Sequence, residues 1–244
     1  MADGFCDGRL LSAVCCLLLD IWKKSIVTEY YLEIQNVVNT ALAELANEHQ
    51  TGKLVDAPVA NNHFLVRWVT KAIKGQRFHR CVLDDLNRLQ KAGRSKGNDA
   101  MLLPTFRRIS AYYQHFFTAE PTVITDSKIE AFLDKMEQEE WEVTTSEPIV
   151  GQRKVQIYTE GQNSLALCAI QCESCFDGPN LVKPMSWFVR GNHARFIELA
   201  MDAGFMLHKR TDYKSNVKYH GEYLIYPLNQ GVQLAEMPLS FTGA

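Results

Sequence analysis

Cys168, Cys172 and Cys175 are spaced by three and then two intervening residues, a rhythm with which one loop can offer three thiolates to an iron–sulfur cluster and leave one iron open. Their surroundings argue against that chemistry. Cys168 lies in an apolar, strand-like run, and Ser174 stands where an aromatic residue would precede the last thiol. A zinc set joining Cys172 and Cys175 to His193 or His220 has the right donor types, but a free cysteine usually serves as a small buried hydrophobe. No metal and no cofactor is expected.

The stretch Trp187–Arg195, WFVRGNHAR, offers anion chemistry instead. If Asn192 caps a helix, the first N–H groups of that helix point outward with the positive end of its dipole. Arg190, Asn192, His193 and Arg195 would then surround a phosphate or carboxylate. Downstream, Lys209, Arg210, Lys214 and Lys218 alternate with Tyr213 and Tyr219, a mix that suits backbone phosphates and stacked bases. The plainer alternatives are an ordinary N-cap and an edge hairpin whose lysines prevent aggregation.

Further upstream, residues Asn62 to Lys74 read as a helix with Phe64, Leu65, Trp68, Val69, Ala72 and Ile73 on the inner face. Arg67, Lys71 and Lys74 fall together on the opposite side, and Arg77 and Arg80 follow. From Asn61 to Arg108 there are eleven Lys and Arg against three acids, a net of +8, whereas Glu120 to Glu147 holds nine acids against two lysines, a net of −7. A formal charge of −2 over 244 residues therefore conceals two strongly charged regions. Such asymmetry points to nucleic acid or another polyanion, or to the two regions neutralising each other.

These groups need elements to carry them. Thr28 to Gly52, His79 to Ala92 with Gly93 as its C-cap, and LLPTFRRISAYYQHFF each repeat apolar residues at helical spacing. Residues 28–118 are thus expected to be all-helical. Between 119 and 230 a helix from Thr125 or Asp126 precedes β-rich WEVTTS, RKVQIYT and SLALCAI, and a second helix, HARFIELAMDA, precedes FMLHKRTDY and VKYHGEYLIYPL. The fold class expected is α+β: a helical N-terminal part followed by a mixed part with two helix-plus-β-hairpin units, whose apolar positions repeat at a spacing of 64 (Phe132 against Phe196, Trp141 against Phe205). Residues 231–244 are expected to be a loose tail.

Residues 1–27 are read as a doubtful leader or a mis-extended start. The apolar run Leu10 to Leu19 is shorter than a membrane span requires, and Asp3 and Asp7 spoil a secretory signal. Seven cysteines without framework spacing fit a reducing cytoplasm. The chain contains no phosphate loop, dinucleotide fingerprint, zinc-protease motif or serine elbow.

The run APVANNHFLVRWVTKAIKGQRFHRCVLDDLNRLQKAGRSKG, with SWFVRGNHARF and TDYKSNVKY, resembles an uncharacterised bacterial family, the domain of unknown function numbered 2913, from about Thr28 to Asn229. That resemblance implies a bacterial cytosolic protein and carries over no catalytic residue. The expectation is a non-enzymatic, nucleic-acid-associated or regulatory protein acting through its basic helical surface, with no membrane partner. Two alternatives stay open: a module that binds a protein partner or a second copy of itself, and an enzyme for a phosphorylated small molecule at Arg190, Asn192 and His193.

Overall fold

The computed structural model describes residues 30–117 and 122–242; the expectation for residues 1–27 lies outside the described residues. Helix α1 (30–50) buries Tyr30, Ile34, Val37, Val38, Ala41 and Leu45, positions that share one face at helical periodicity. Helix α2 (Pro58–Lys74) opens on a proline after an extended Ala57. Proline is suited to that place because its missing N–H would have had no helical acceptor. Asn61 ties the two helices together, donating to Asp56 Oδ1 at 2.8 Å and meeting His49 Nε2 at 2.8 Å.

Helices α3 (Leu83–Lys96) and α4 (Leu102–Phe117) complete the helical part. The helix end expected at Gly93 is not there: α3 runs on to Lys96 and stops at Gly97, whose φ is +56°. Gly93 is instead a point of close approach, because a Cβ there would lie 2.4 Å from Val66 Cγ2 and 2.8 Å from Leu102 Cδ1. Tyr30 crosses from α1 to donate to the buried Asp85 at 2.7 Å, and Arg88 pairs with the same carboxylate.

The remainder is built on a five-stranded sheet ordered β1-β2-β5-β7-β6, with strands β1 (Glu142–Thr144), β2 (Ser164–Leu167), β5 (Met185–Arg190), β6 (His208–Thr211) and β7 (Gly221–Ile225). A small ladder of β3 (Phe176–Asp177) and β4 (Asn180–Leu181) follows the short helix α6 (Ala169–Ser174). Helices α5 (Asp126–Gln138) and α7 (His193–Asp202) cover one face of the sheet. Their side chains meet Leu165, Leu167, Trp187, Val189, Tyr223 and Ile225, alternate residues that point to that side.

The chain is thus α+β, helical first and mixed afterwards. One of the two expected hairpins is corrected. β6 and β7 are antiparallel, but β1 and β2 run parallel, and parallel neighbours cannot be joined by a tight turn. Residues 145–163 therefore cross the sheet. Within them RKVQIYT forms no strand: Val155 makes one isolated bridge to Val217, and Val155 and Ile157 pack with Ile149, Ala166, Cys168, Phe188 and Val217 on the face away from α5 and α7. The 64-residue spacing reflects a shared need to fill one core, since β1 and β6 end on opposite edges of the sheet and pair differently.

The loose tail is also corrected. Ala235 N donates to Tyr113 Oη at 3.1 Å, Arg108 donates to the carbonyls of Met237 and Pro238, and Phe241 sets its ring edge against Tyr112 at 5.3 Å. Met206 and Ala235 are buried among residues of the helical part, so the two parts share a packed boundary.

Candidate functional site

Helix α2 places Arg67, Lys71 and Lys74 on its exposed side at successive four- and three-residue steps. Helix α3 adds to them. Gln90 and Arg94 both donate to Thr70 Oγ1, at 2.9 and 3.3 Å, and Thr70 is the helical neighbour of Lys74 and Arg67. Arg94 is thereby drawn to the edge of the stripe, giving four cations from two helices on one face.

Of the other cations expected in this group, Arg77 is engaged elsewhere and Arg80 lies off α2. Arg77 pairs with Glu44 at 2.7 Å and lies over the rings of Trp68 and Phe78, 5.5 Å from each. Trp68 Nε1 donates to the same carboxylate at 2.6 Å. Arg80 is exposed on the short helical turn Arg80–Val82 ahead of α3. A groove of about 900 Å³ between α1 and α2 is lined by Arg67, Lys71, Trp68, Phe64, Glu44 and Glu48 among others, so the stripe has acids along its α1 border.

At the start of α7 the expected cap is present: Asn192 Oδ1 accepts from Arg195 N at 3.0 Å. Gly191 needs its freedom here, with φ +105° and no room for a Cβ, which would fall 2.2 Å from Asn163 Oδ1. The open phosphate cradle expected there is not assembled. Arg195 Nη2 donates to both carboxylate oxygens of Glu139, at 2.8 and 2.9 Å, so part of the acidic region neutralises it. Arg190 donates to the carbonyl of Gly161. His193 Nδ1 lies 2.7 Å from Tyr223 Oη; burial, with Lys209 nearby, lowers the imidazole pKa, while burial first and then Glu236 and Asp212 raise that of the phenol. The two groups thus share a hydrogen bond whose direction depends on the tautomer of the ring.

The hairpin cations divide in the same way. Lys209 pairs with Asp212 at 3.1 Å and Glu236 at 3.5 Å, and Lys218 lies over the Tyr219 ring at 4.8 Å. Arg210 and Lys214 border a cleft of about 690 Å³ on the sheet face away from α5 and α7. Its floor holds Ser186, Phe188, Glu222 and Leu224. Glu222, only 7% exposed, accepts from Ser186 Oγ at 2.8 Å and from Arg210 Nη1 at 3.0 Å, both on Oε1.

Cys168 and Cys175 are buried and Cys172 is half-buried. Cys168 Sγ accepts from the N–H groups of Ile149 and Val150, each at 3.2 Å. Burial pushes its pKa up, but these and neighbouring backbone donors outweigh burial and leave the thiol below its ordinary value. Burial raises Cys172, to about 11, and Cys175. Among the described residues no three His, Cys, Asp or Glu side chains are grouped to hold a metal. Ser164 Oγ meets His220 Nε2 at 3.0 Å, but both residues are 1% exposed and the far ring nitrogen meets the Lys218 carbonyl, so this pair has the contacts of a nucleophile and base without access to substrate.

A family model described as "Protein of unknown function (DUF2913)" matches residues 29–238. The chain belongs to this family. No curated protein and no solved structure matches it. The DUF2913 region holds both the α2–α3 cation face and the sheet-face cleft. Among its described residues no helix is long and apolar enough to cross a membrane.

Sequence reasoning passed over Glu222 and Ser186. The available signal was one acid within the otherwise apolar strand GEYLI, where strand alternation sets Glu222 and Leu224 on the face opposite Tyr223 and Ile225.

Proposed function

We propose that this chain is a bacterial cytosolic protein that associates with nucleic acid through the α2–α3 face, in a non-enzymatic or regulatory role. The observation that carries the reading is the meeting of Arg67, Lys71 and Lys74 on α2 with Arg94 on α3 across Thr70. Charge distribution supports it. Residues 30–117 hold twelve Lys and Arg against seven acids, and residues 122–242 hold eleven against sixteen. A polyanion is therefore attracted to the helical side and repelled from the other. Cations on one exposed helical face reach successive phosphates without reading bases, so binding tolerates sequence.

The test is a gel shift with labelled duplex and single-stranded oligonucleotides. Alanine at Arg67, Lys71, Lys74 and Arg94 together is expected to weaken binding at least roughly tenfold at about 100 mM salt. Alanine at Lys209, paired with Asp212 and Glu236, and at Lys218, set over the Tyr219 ring, is expected to leave binding close to wild type. Equal affinity of the four-site variant and wild type overturns the reading.

A further inference from the structure

We propose that the sheet-face cleft binds a small zwitterion of the amino-acid or dipeptide class, with its ammonium on Glu222 and its carboxylate between Arg210 and Lys214. This goes beyond the nucleic-acid reading and does not depend on it. The α2–α3 cations take no part in lining this cleft.

The starting observation is a carboxylate where strand packing would favour an apolar group. Burying a charge in a sheet is costly unless it is paired and hydrogen-bonded. Ser186 and Arg210 supply that pairing, yet both bonds fall on Oε1. No bond among the described residues ends on Oε2. The Arg210 side chain is 64% exposed while that of Glu222 is 10% exposed, so the cation forms the rim and the anion the floor. Lys214, exposed on the loop between β6 and β7, puts a second cation on the same rim.

Charge arrangement then selects the ligand. A simple anion drawn to Arg210 and Lys214 meets the Glu222 carboxylate beneath them; a simple cation drawn to Glu222 must pass two positive side chains. A molecule carrying both charges a few bonds apart satisfies floor and rim together, with charge-assisted hydrogen bonds at each end. Arg210 has five N–H donors and its described pairing with Glu222 runs through Nη1, so its guanidinium can accept a carboxylate without leaving Glu222. Phe188 and Leu224 give the floor apolar patches for a side chain. The volume of about 690 Å³ lies within the usual range for small-molecule sites.

The experiment is thermal unfolding of the full chain with each proteinogenic amino acid and with leucyl-leucine, followed by calorimetric titration of the compounds that shift it. A zwitterion at about five times its Kd is expected to raise Tm by about 2–4 °C. For leucine, the matched acid isocaproate and the matched amine isoamylamine are expected to give no comparable rise. Glu222→Gln, close in shape and still able to accept from Ser186, is expected to weaken binding at least tenfold; Lys214→Ala, at an exposed loop position, is expected to weaken it severalfold with unchanged unfolding of the free protein. Absence of a shift across the whole panel overturns the proposal. So does an acid or amine analogue that stabilises as well as its zwitterion, or a Lys214→Ala protein that binds as wild type does.

Discussion

Trp187→Ala is expected to lower unfolding free energy by about 3–5 kcal/mol, the range for truncating a large aromatic in a packed core. Trp187 is fully buried at the middle of β5. Its indole stacks on Phe132 at 5.1 Å with planes 8° apart, and presents its edge to Phe205 at 5.2 Å and Phe196 at 6.2 Å. One side chain thus joins α5, α7 and the turn after α7 to the central strand. Its Nε1 has no hydrogen-bond partner among the described residues, so Trp187→Phe loses ring area but also removes a buried unsatisfied donor, and is expected to cost clearly less than the alanine change. Urea unfolding followed by circular dichroism measures both. A loss for Trp187→Ala below about 1 kcal/mol, the level of ordinary substitutions, would show that the sheet and its two helices do not close on this ring.

The second large effect is a loss of stability in mild acid centred on His208. The ring is 1% exposed, its Nδ1 meets the Gln233 carbonyl at 2.8 Å, and its Nε2 has no partner among the described residues. Gly231 backs against it so closely that a Cβ there would lie 2.2 Å from Nε2. A proton on Nε2 would therefore be buried without an acceptor. Burial depresses the pKa to about 4, with the Gln233 and Leu234 hydrogen bonds opposing only part of the shift. The unfolded chain takes up this proton near pH 6.5, whereas the folded chain refuses it until about pH 4. Stability is fully present above about 6.5, falls as pH drops through that window by up to about 3 kcal/mol, and levels off below it. His193 and His220 are shifted in the same direction by burial and add to the slope. Denaturant titrations between about pH 7 and 4.5 should show His208→Gln losing less stability than wild type over that interval; parallel curves would contradict the assignment.

What could be read from the residues alone followed the range of the interactions involved. The stripes of α1, α2 and α4 repeat within a single turn, and so does the cation row Arg67, Lys71, Lys74. Arg94 joins that row only because α3 packs on α2 through Gln90 and Thr70. Gly93 resembled a helix end because a glycine after an apolar run usually is one, yet its role is set by Val66 and Leu102 on other helices. The parallel pairing of β1 with β2 was hidden by a crossover in which Val155 and Ile157 alternate as a strand would but face a core rather than a ladder. The tail looked loose because its partners, Arg108 and Tyr113, lie more than a hundred positions earlier. The site at Arg195 looked open because its partner Glu139 is 56 residues away.

Whether the α2–α3 cations engage phosphates is tested most directly by fluorescence polarisation with a labelled DNA duplex across a salt series. Four phosphate contacts give a slope of log affinity against log salt near −3.6 and a roughly hundredfold loss of affinity between about 50 and 200 mM salt, while the four-site alanine variant shows a markedly flatter dependence. No binding at about 50 mM salt, or an affinity that does not change across the series, contradicts such engagement.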